Sequence, residues 1–381
     1  MKLQNIHPER LKNSEEIEEI REVPLAEFQG IRIGQTQKAE AGTGITVVIS
    51  EDPRGMAAGL HIGGGGPATR ETGILDPITT AQRIHAAVLG GGSAYGLDAA
   101  GGVMSYLEEK GIGVTVRNIR VPLVTQVDIF DLPVGDPHVR PDREMGYEAC
   151  KMSETNEGAG NYKDGCYGAG CGATIGKYAG PQHGMKSGIG SCVLQQGDLL
   201  VGAIIAVNAF GDIYDWKTGS KIAGAHDESG RLYSHAEMIG YLRRMEQERM
   251  RAAAFNTTIG IVFTNAPFEK PQLCKIAAMA HDGFARSIAP VHTSGDGDSI
   301  IALSVSGKKA PVRDGQRHNE TAEKEGRGQT VTETISPAAG IDTVGSLAAW
   351  AVSEAILRGV RSAESAYGFT ALRDLQISDL T

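Results

Sequence analysis

A chain of 381 residues, 41% hydrophobic and 22% charged, holds enough apolar material for a packed core and too much for disorder, and its length leaves one large domain or two ordinary ones open. Its formal net charge of -9, from 37 Lys and Arg against 46 Asp and Glu, argues against a general nucleic-acid or membrane-surface binder, because both polyanions attract a positive face. The five cysteines, Cys150, Cys166, Cys171, Cys192 and Cys274, are odd in number and include no CxxC pair, so neither a disulfide framework nor a zinc site is indicated and free cytosolic thiols are expected.

The first twenty residues, MKLQNIHPERLKNSEEIEEI, read as a charged helical leader with no apolar run of signal-peptide length, and no window approaches a membrane span. Gly44 to Ile49 reads as a strand, rich in β-branched residues and bounded by turn formers. Two glycine runs follow, Gly63 to Gly66 and Gly90 to Gly96, the second leading into a helical pattern from Leu97 to Leu107. With 51 glycines, the chain uses many positions for tight turns and close backbone approaches. Strands are expected at Ile112 to Val116 and within Val121 to Leu132, where Pro122 interrupts. The Gly-rich polar stretch Glu154 to Gly190 precedes Leu199 to Val207, an unbroken apolar run that fits a strand buried on both faces.

Ser234 with Glu237 three residues on is a helix-start signal for Ser234 to Ala253, whose charged body suits a solvated helix or an exposed linker. Beyond it the pattern predicts a strand at Ile259 to Thr264, an amphipathic helix at Pro271 to Ile288, a strand at Ser299 to Val305, a polar loop at Lys308 to Thr334 and a closing helix at Asp342 to Leu357. There is no internal repeat. Strands and helices in mixed order fit a layered α/β or α+β domain.

The chain has no G-x-S-x-G elbow, Walker loop, HExxH or kinase signature. Its histidines are scattered, none at metal-ligand spacing with a second ligand, and each reads as structural. A hydrolase without an evident His base needs another one, and an N-terminal amine with pKa ~8 can serve a hydroxyl on the same residue. Asn256-Thr257-Thr258-Ile259 offers that arrangement if the bond before Thr257 is broken. The tetrapeptide alone also fits a plain strand cap or a glycosylation sequon. Likewise, Asp296-Gly297-Asp298 alone suggests a turn or a metal loop, and no EF-hand continuation follows it. The glycine runs lack the acidic partner of a dinucleotide site.

Seven blocks change the balance: GGGPATRET, LGGGSAYGLDAAGGVM, GAGCGATIGK, MKSGIGS, AIIAVNAFGDIYD, NTTIGIVFTNA and MAHDGFARSIAPVHTSGDGDSIIAL. Spanning about residues 60 to 305 in family order, they resemble the L-aminopeptidase/D-amidase-esterases, a family that includes β-peptidyl aminopeptidases and nylon-oligomer hydrolases. The resemblance implies an N-terminal nucleophile hydrolase of α+β class, a four-layer αββα sandwich. It implies one domain built from two self-cleaved chains, residues 1 to 256 and 257 to 381. By that resemblance Thr257 is the nucleophile, freed by scission after Asn256. Asn208 matches the amide that stabilises the oxyanion, and Lys177 a lysine that keeps the new amine a free base. Asp296 and Asp298 match a carboxylate pair facing the nucleophile, and Tyr95 lines the substrate pocket or simply packs.

The implied reaction runs through an acyl-enzyme on Thr257, with no cofactor and no metal, on a small peptide or amide bearing a free amine. A hydrolase of 6-aminohexanoate oligomers differs from this only in substrate. An acyltransferase resembling the ornithine acetyltransferases, or an uncleaved inactive binding protein, is the alternative from another class. The resemblance further implies a homo-oligomer of αβ units, and the N-terminal sequence without a signal-peptide run makes the cytoplasm the expected location.

Overall fold

Among the described residues the runs of β-branched residues pair into two main sheets, beside three small ones of two or three strands. This computed structural model describes residues 19–154, 161–247, 256–305 and 339–375. In the larger sheet the order is β1 (Arg21–Val23), β8 (Ile189–Gln196), β9 (Leu199–Ala206), β10 (Ile259–Thr264), β11 (Ser299–Ser304) and β4 (Ala57–Ile62). All neighbours are antiparallel except β10 and β11, which run parallel with Ile259 opposite Ser299. The second sheet has the order β2 (Ile31–Lys38), β3 (Thr43–Ser50), β6 (Ala86–Gly90), β7 (Val124–Asp128) and β5 (Ala68–Arg70).

Alternation along each strand sends one set of side chains between the sheets and the other outward. Ile31, Ile33, Val48, Leu89 and Val127 meet Ile204, Ile259, Ile261, Phe263 and Ile301 in the central layer. Outward, Val201, Ala203, Ile205, Val262 and Ile300 pack under α4 (Lys270–Ser287) and α5 (Ile341–Arg361). Ile45, Val47, Ile49 and Val88 do the same under α1 (Ala99–Glu109) and α2 (Arg143–Met152). Both faces of β9 and β10 are therefore covered, which is why their sequences are unbroken apolar runs rather than alternating ones. Each fully buried Ile or Phe contributes roughly 1.5–3 kcal/mol through removal from water. The result is the expected single α+β domain in four layers, helix, sheet, sheet, helix.

Several boundaries shift. The Ile112 segment forms a short exposed hairpin, Val114–Val116 with Ile119–Val121, and the strand after Pro122 begins only at Val124. Gly90 closes a strand, Ser93–Asp98 is a 3-10 turn, and the helix starts at Ala99. Ser234 does cap α3 (His235–Gln247), its hydroxyl accepting from Glu237 N while Glu237 accepts from Ser234 N. The closing helix runs on to Arg361. The leader, the end of the Ser234 helix and the Lys308 to Thr334 loop lie outside the described residues. None of the described helices is long and apolar enough to cross a membrane.

Candidate active site

The segment Asn256–Thr258 is the extended lead-in to β10, lying between the end of β9 on one side and the loop before β11 on the other. From the β9 side, the backbone carbonyl of Asn208 accepts the Thr257 N–H at 3.0 Å. From the β11 side, Asn256 bridges Asp296 in parallel, and the Gly297 N–H donates to the Asn256 carbonyl at 2.9 Å. That same carbonyl oxygen accepts the Thr257 hydroxyl at 2.5 Å. Asn256, Thr257 and Thr258 are all buried, Thr257 being 4% exposed.

Glycine is required where this segment meets its neighbours. A Cβ on Gly297 would stand 2.7 Å from Thr257 Oγ1 and 2.9 Å from the Gly66 carbonyl. The first glycine run lies against the same loop: a Cβ on Gly64 would be 2.2 Å from the Asp296 carbonyl oxygen. Gly63 and Gly66 donate to the carbonyls of Asp298 and Asp296 at 2.9 and 2.8 Å. The run is thus a backbone clamp on the Asp296–Asp298 turn.

Lys177 and Asn208 form one unit. Lys177 Nζ donates to Asn208 Oδ1 at 2.8 Å and to its backbone carbonyl at 3.3 Å, and Thr174 N–H donates to Oδ1 at 3.1 Å. Asn208 Nδ2 donates to the Phe130 carbonyl at 3.0 Å, which commits one of its two hydrogens and leaves the other for a ligand. Burial pushes the Lys177 amine down to about 7, with the charge of Asp296 acting in the opposite direction. At neutral pH this lysine therefore exchanges readily between charged and neutral forms.

The two carboxylates have different surroundings. Asp298 Oδ1 accepts the Thr258 N–H at 2.8 Å, and its Oδ2 accepts the His292 N–H at 3.0 Å and faces His292 Nδ1 at 2.8 Å. Asp296 Oδ2 accepts from Thr293 N and Oγ1 at 3.0 and 2.7 Å, while its buried Oδ1 has no hydrogen-bond partner among the described residues. Burial, then the charge of Asp298, pushes Asp296 up to about 6. Like charges in one buried site resist double ionisation.

The structure thus brings together Asn256, Thr257, Asn208, Lys177, Asp296 and Asp298. Tyr95 stands apart on the second glycine loop, 61% exposed, with the Arg140 guanidinium stacked 3.7 Å from its ring centre. That loop joins the centre through Ser93 N–H, which donates to Ile129 O, one residue before the carbonyl that holds Asn208, and through Gly92 N–H, which donates to Asp131 Oδ1 at 2.6 Å. Sequence reasoning missed the Gly297 N–H, and it read His281 and His292, which stand behind Asp298, as structural. Both histidines lie in the block that ends in the Asp pair, and that proximity was the available signal.

The model of peptidase family S58 matches residues 24–373. An uncharacterized aminopeptidase from Mycobacterium tuberculosis is 35% identical over 364 residues, covering 92% of this chain and 97% of its own. A 6-aminohexanoate-oligomer endohydrolase from Agromyces sp. is 28% identical, covering 77% of this chain and 78% of its own. In fold, the chain is similar to the L-aminopeptidase D-Ala-esterase/amidase of Ochrobactrum anthropi, described as a variant of the Ntn hydrolase fold, with a TM-score of 0.57, 17% identity and coverage of 89% and 86%. The chain belongs to peptidase family S58 and is an amide hydrolase.

Proposed function

We propose that this hydrolase activates itself by cutting between Asn256 and Thr257 and then uses Thr257 as an N-terminal nucleophile. The observation that carries the reading is the Thr257 hydroxyl lying 2.5 Å from the oxygen of the very carbonyl it would attack, with the Gly297 N–H on that oxygen at 2.9 Å. In the cut, a bond forms from Thr257 Oγ1 to the Asn256 carbonyl carbon, the C–N bond breaks, and the nitrogen takes the hydroxyl proton. Water then hydrolyses the ester, leaving an Asn256 carboxylate and a Thr257 with free amine and free hydroxyl. Residues 1–256 and 257–381 become the two chains of one domain.

Catalysis follows the same geometry. The new amine takes the hydroxyl proton as Oγ1 attacks a substrate amide, directly or through one water. The remaining Asn208 hydrogen steadies the oxyanion, a role worth on the order of 3 kcal/mol. The partnerless Asp296 Oδ1 and the Asn208 carbonyl accept from the amine, and Lys177 in its charged form favours the deprotonated amine. The substrate is a small peptide or amide with a free amine, admitted past Tyr95, and the enzyme works in the cytoplasm as an oligomer of αβ units. Cleavage of 6-aminohexanoate oligomers is a second reading, favoured by the endohydrolase relative.

Intact mass of the purified protein tests the cut: two fragments meeting at 256/257 are expected, and one unbroken chain from Thr257→Ala. An unbroken wild-type chain that turns over substrate would sink the proposal. Aminoacyl p-nitroanilides beside aminohexanoate oligomers then rank the substrates.

A further inference from the structure

Three histidines from separate elements converge behind the Asp296–Asp298 turn. His292 Nδ1 lies 2.8 Å from Asp298 Oδ2, His292 Nε2 lies 3.2 Å from His281 Nδ1, and His281 Nε2 lies 3.1 Å from the backbone carbonyl oxygen of His61. Gly63 makes room for them, since a Cβ there would be 2.9 Å from His292 Nδ1 and 3.0 Å from His281 Nδ1. His292 also holds φ at +55°, a left-handed conformation that a residue with a ring side chain keeps only where its surroundings hold it.

Protons can be counted along this row. A carbonyl oxygen only accepts, so His281 Nε2 carries hydrogen. Burial pushes His281 down to about 4, so at neutral pH its Nδ1 is bare and accepts. His292 Nε2 must then donate. Both Asp298 oxygens already accept backbone N–H groups, Oδ1 from Thr258 and Oδ2 from His292. A carboxylate also only accepts, so His292 Nδ1 donates as well. Two donating ring nitrogens make an imidazolium.

We infer that His292 is a charged positioning residue: its imidazolium pairs with Asp298, which fixes the Thr258 N–H and with it the backbone that carries Thr257. The groups facing it are Asp298 and, beyond it, Asp296 on its own loop, His281 on α4, and His61 on β4, whose ring in turn feels Lys275. The kinetic consequence rests on Thr257 being the nucleophile, whereas the protonation state does not. Without the imidazolium, Asp298 is an uncompensated negative charge beside the nucleophile. The terminal amine then holds its proton more tightly, and more alkali is needed to free it.

The test labels the histidine ring nitrogens with 15N in wild type and in His292→Asn. Asn tolerates the left-handed backbone and keeps one donor for Asp298, but brings no charge. At neutral pH the wild-type spectrum should contain an imidazolium with both nitrogens protonated that is absent from the variant; a neutral His292 ring overturns the inference. The acid limb of kcat/KM should move up by on the order of one pH unit in His292→Asn, with KM little changed, and an unmoved limb in folded, cleaved variant overturns the link to Thr257. Intact mass run alongside reports the scission separately, so an uncut active enzyme would refute the nucleophile and leave the spectrum to judge His292. If His292→Asn does not fold, the His292 ring signal is assigned in wild type through its bonds to the backbone, and a neutral ring there overturns the inference.

Discussion

Replacing Gly297 with alanine places a methyl group at the point where the nucleophile and its carbonyl meet. The new Cβ would stand 2.7 Å from Thr257 Oγ1, 2.9 Å from the Gly66 carbonyl oxygen and 3.1 Å from Pro67 Cα. Two of these are backbone atoms of the clamp, so relief must come from moving Thr257 or the Asp296–Asp298 turn. Overpacking of this kind destabilises by about 1–3 kcal/mol. The same movement pulls the Gly297 N–H off the Asn256 oxygen, now 2.9 Å away, and loss of one well-placed oxyanion donor slows a reaction by about 10²–10³. Gly297→Ala is therefore expected to leave most freshly purified protein uncut by intact mass, while lowering the urea midpoint. Gly73→Ala is the control, because a Cβ there meets nothing within 4 Å, and its stability should stay within about 0.5 kcal/mol of wild type. Cleavage of Gly297→Ala at the wild-type rate with an unchanged midpoint would refute the packing argument.

Lys177→Met should lower kcat by about 10²-fold, since Asn208 Oδ1 loses its shortest hydrogen bond and keeps those from Thr174. It should also change how stability varies with pH. The Lys177 amine is depressed from 10.5 to about 7, so between those values the unfolded chain binds more protons and its contribution to stability rises with pH. The stability of wild type minus that of the variant, from urea curves across that window, should climb; a flat difference argues against a buried amine. Asp296→Asn has the opposite sign. Its carboxyl is raised from 3.8 to about 6, so its contribution is complete below 3.8 and is lost as pH rises through 6, and the variant should gain on wild type over that interval while losing activity. Tyr95→Ala, at an exposed position, should leave the melting temperature unchanged and raise KM by up to about fivefold, the size of an exposed stacking contact; a fall in kcat alone would move Tyr95 off the substrate path.

Much of the sheet framework is legible in the sequence where burial on both faces writes a continuous apolar run, as in Leu199–Ala206 and Ile259–Thr264. Strands that mix glycine with polar residues were not. Ile31–Lys38 and Ile189–Gln196 contain Gly34 and Gly190, residues that look like turn formers but sit where a helix backbone touches the sheet. A Cβ on Gly34 would be 1.8 Å from the Ala149 carbonyl oxygen and one on Gly190 2.1 Å from that of Ala355. The α2 helix was missed for a related reason, its apolar face being reduced to Met145, Ala149 and Cys150 around Gly146. The side-chain cluster follows from the ordered blocks, but its backbone donors carry no letter in a sequence. The left-handed turn that aims His292 at Asp298 is equally silent.

The strand order of the larger sheet has a consequence for any chain cut at residue 256. β10 and β11 come from the later segment and are flanked by β9 on one side and β4 on the other, both from the earlier one. Scission there would sever one covalent bond and none of these ladders, so the pieces would remain interlocked as a heterodimer wherever the fold itself survives. Reassembly from denaturant would become a second-order event, and the temperature of unfolding would depend on how concentrated the solution is.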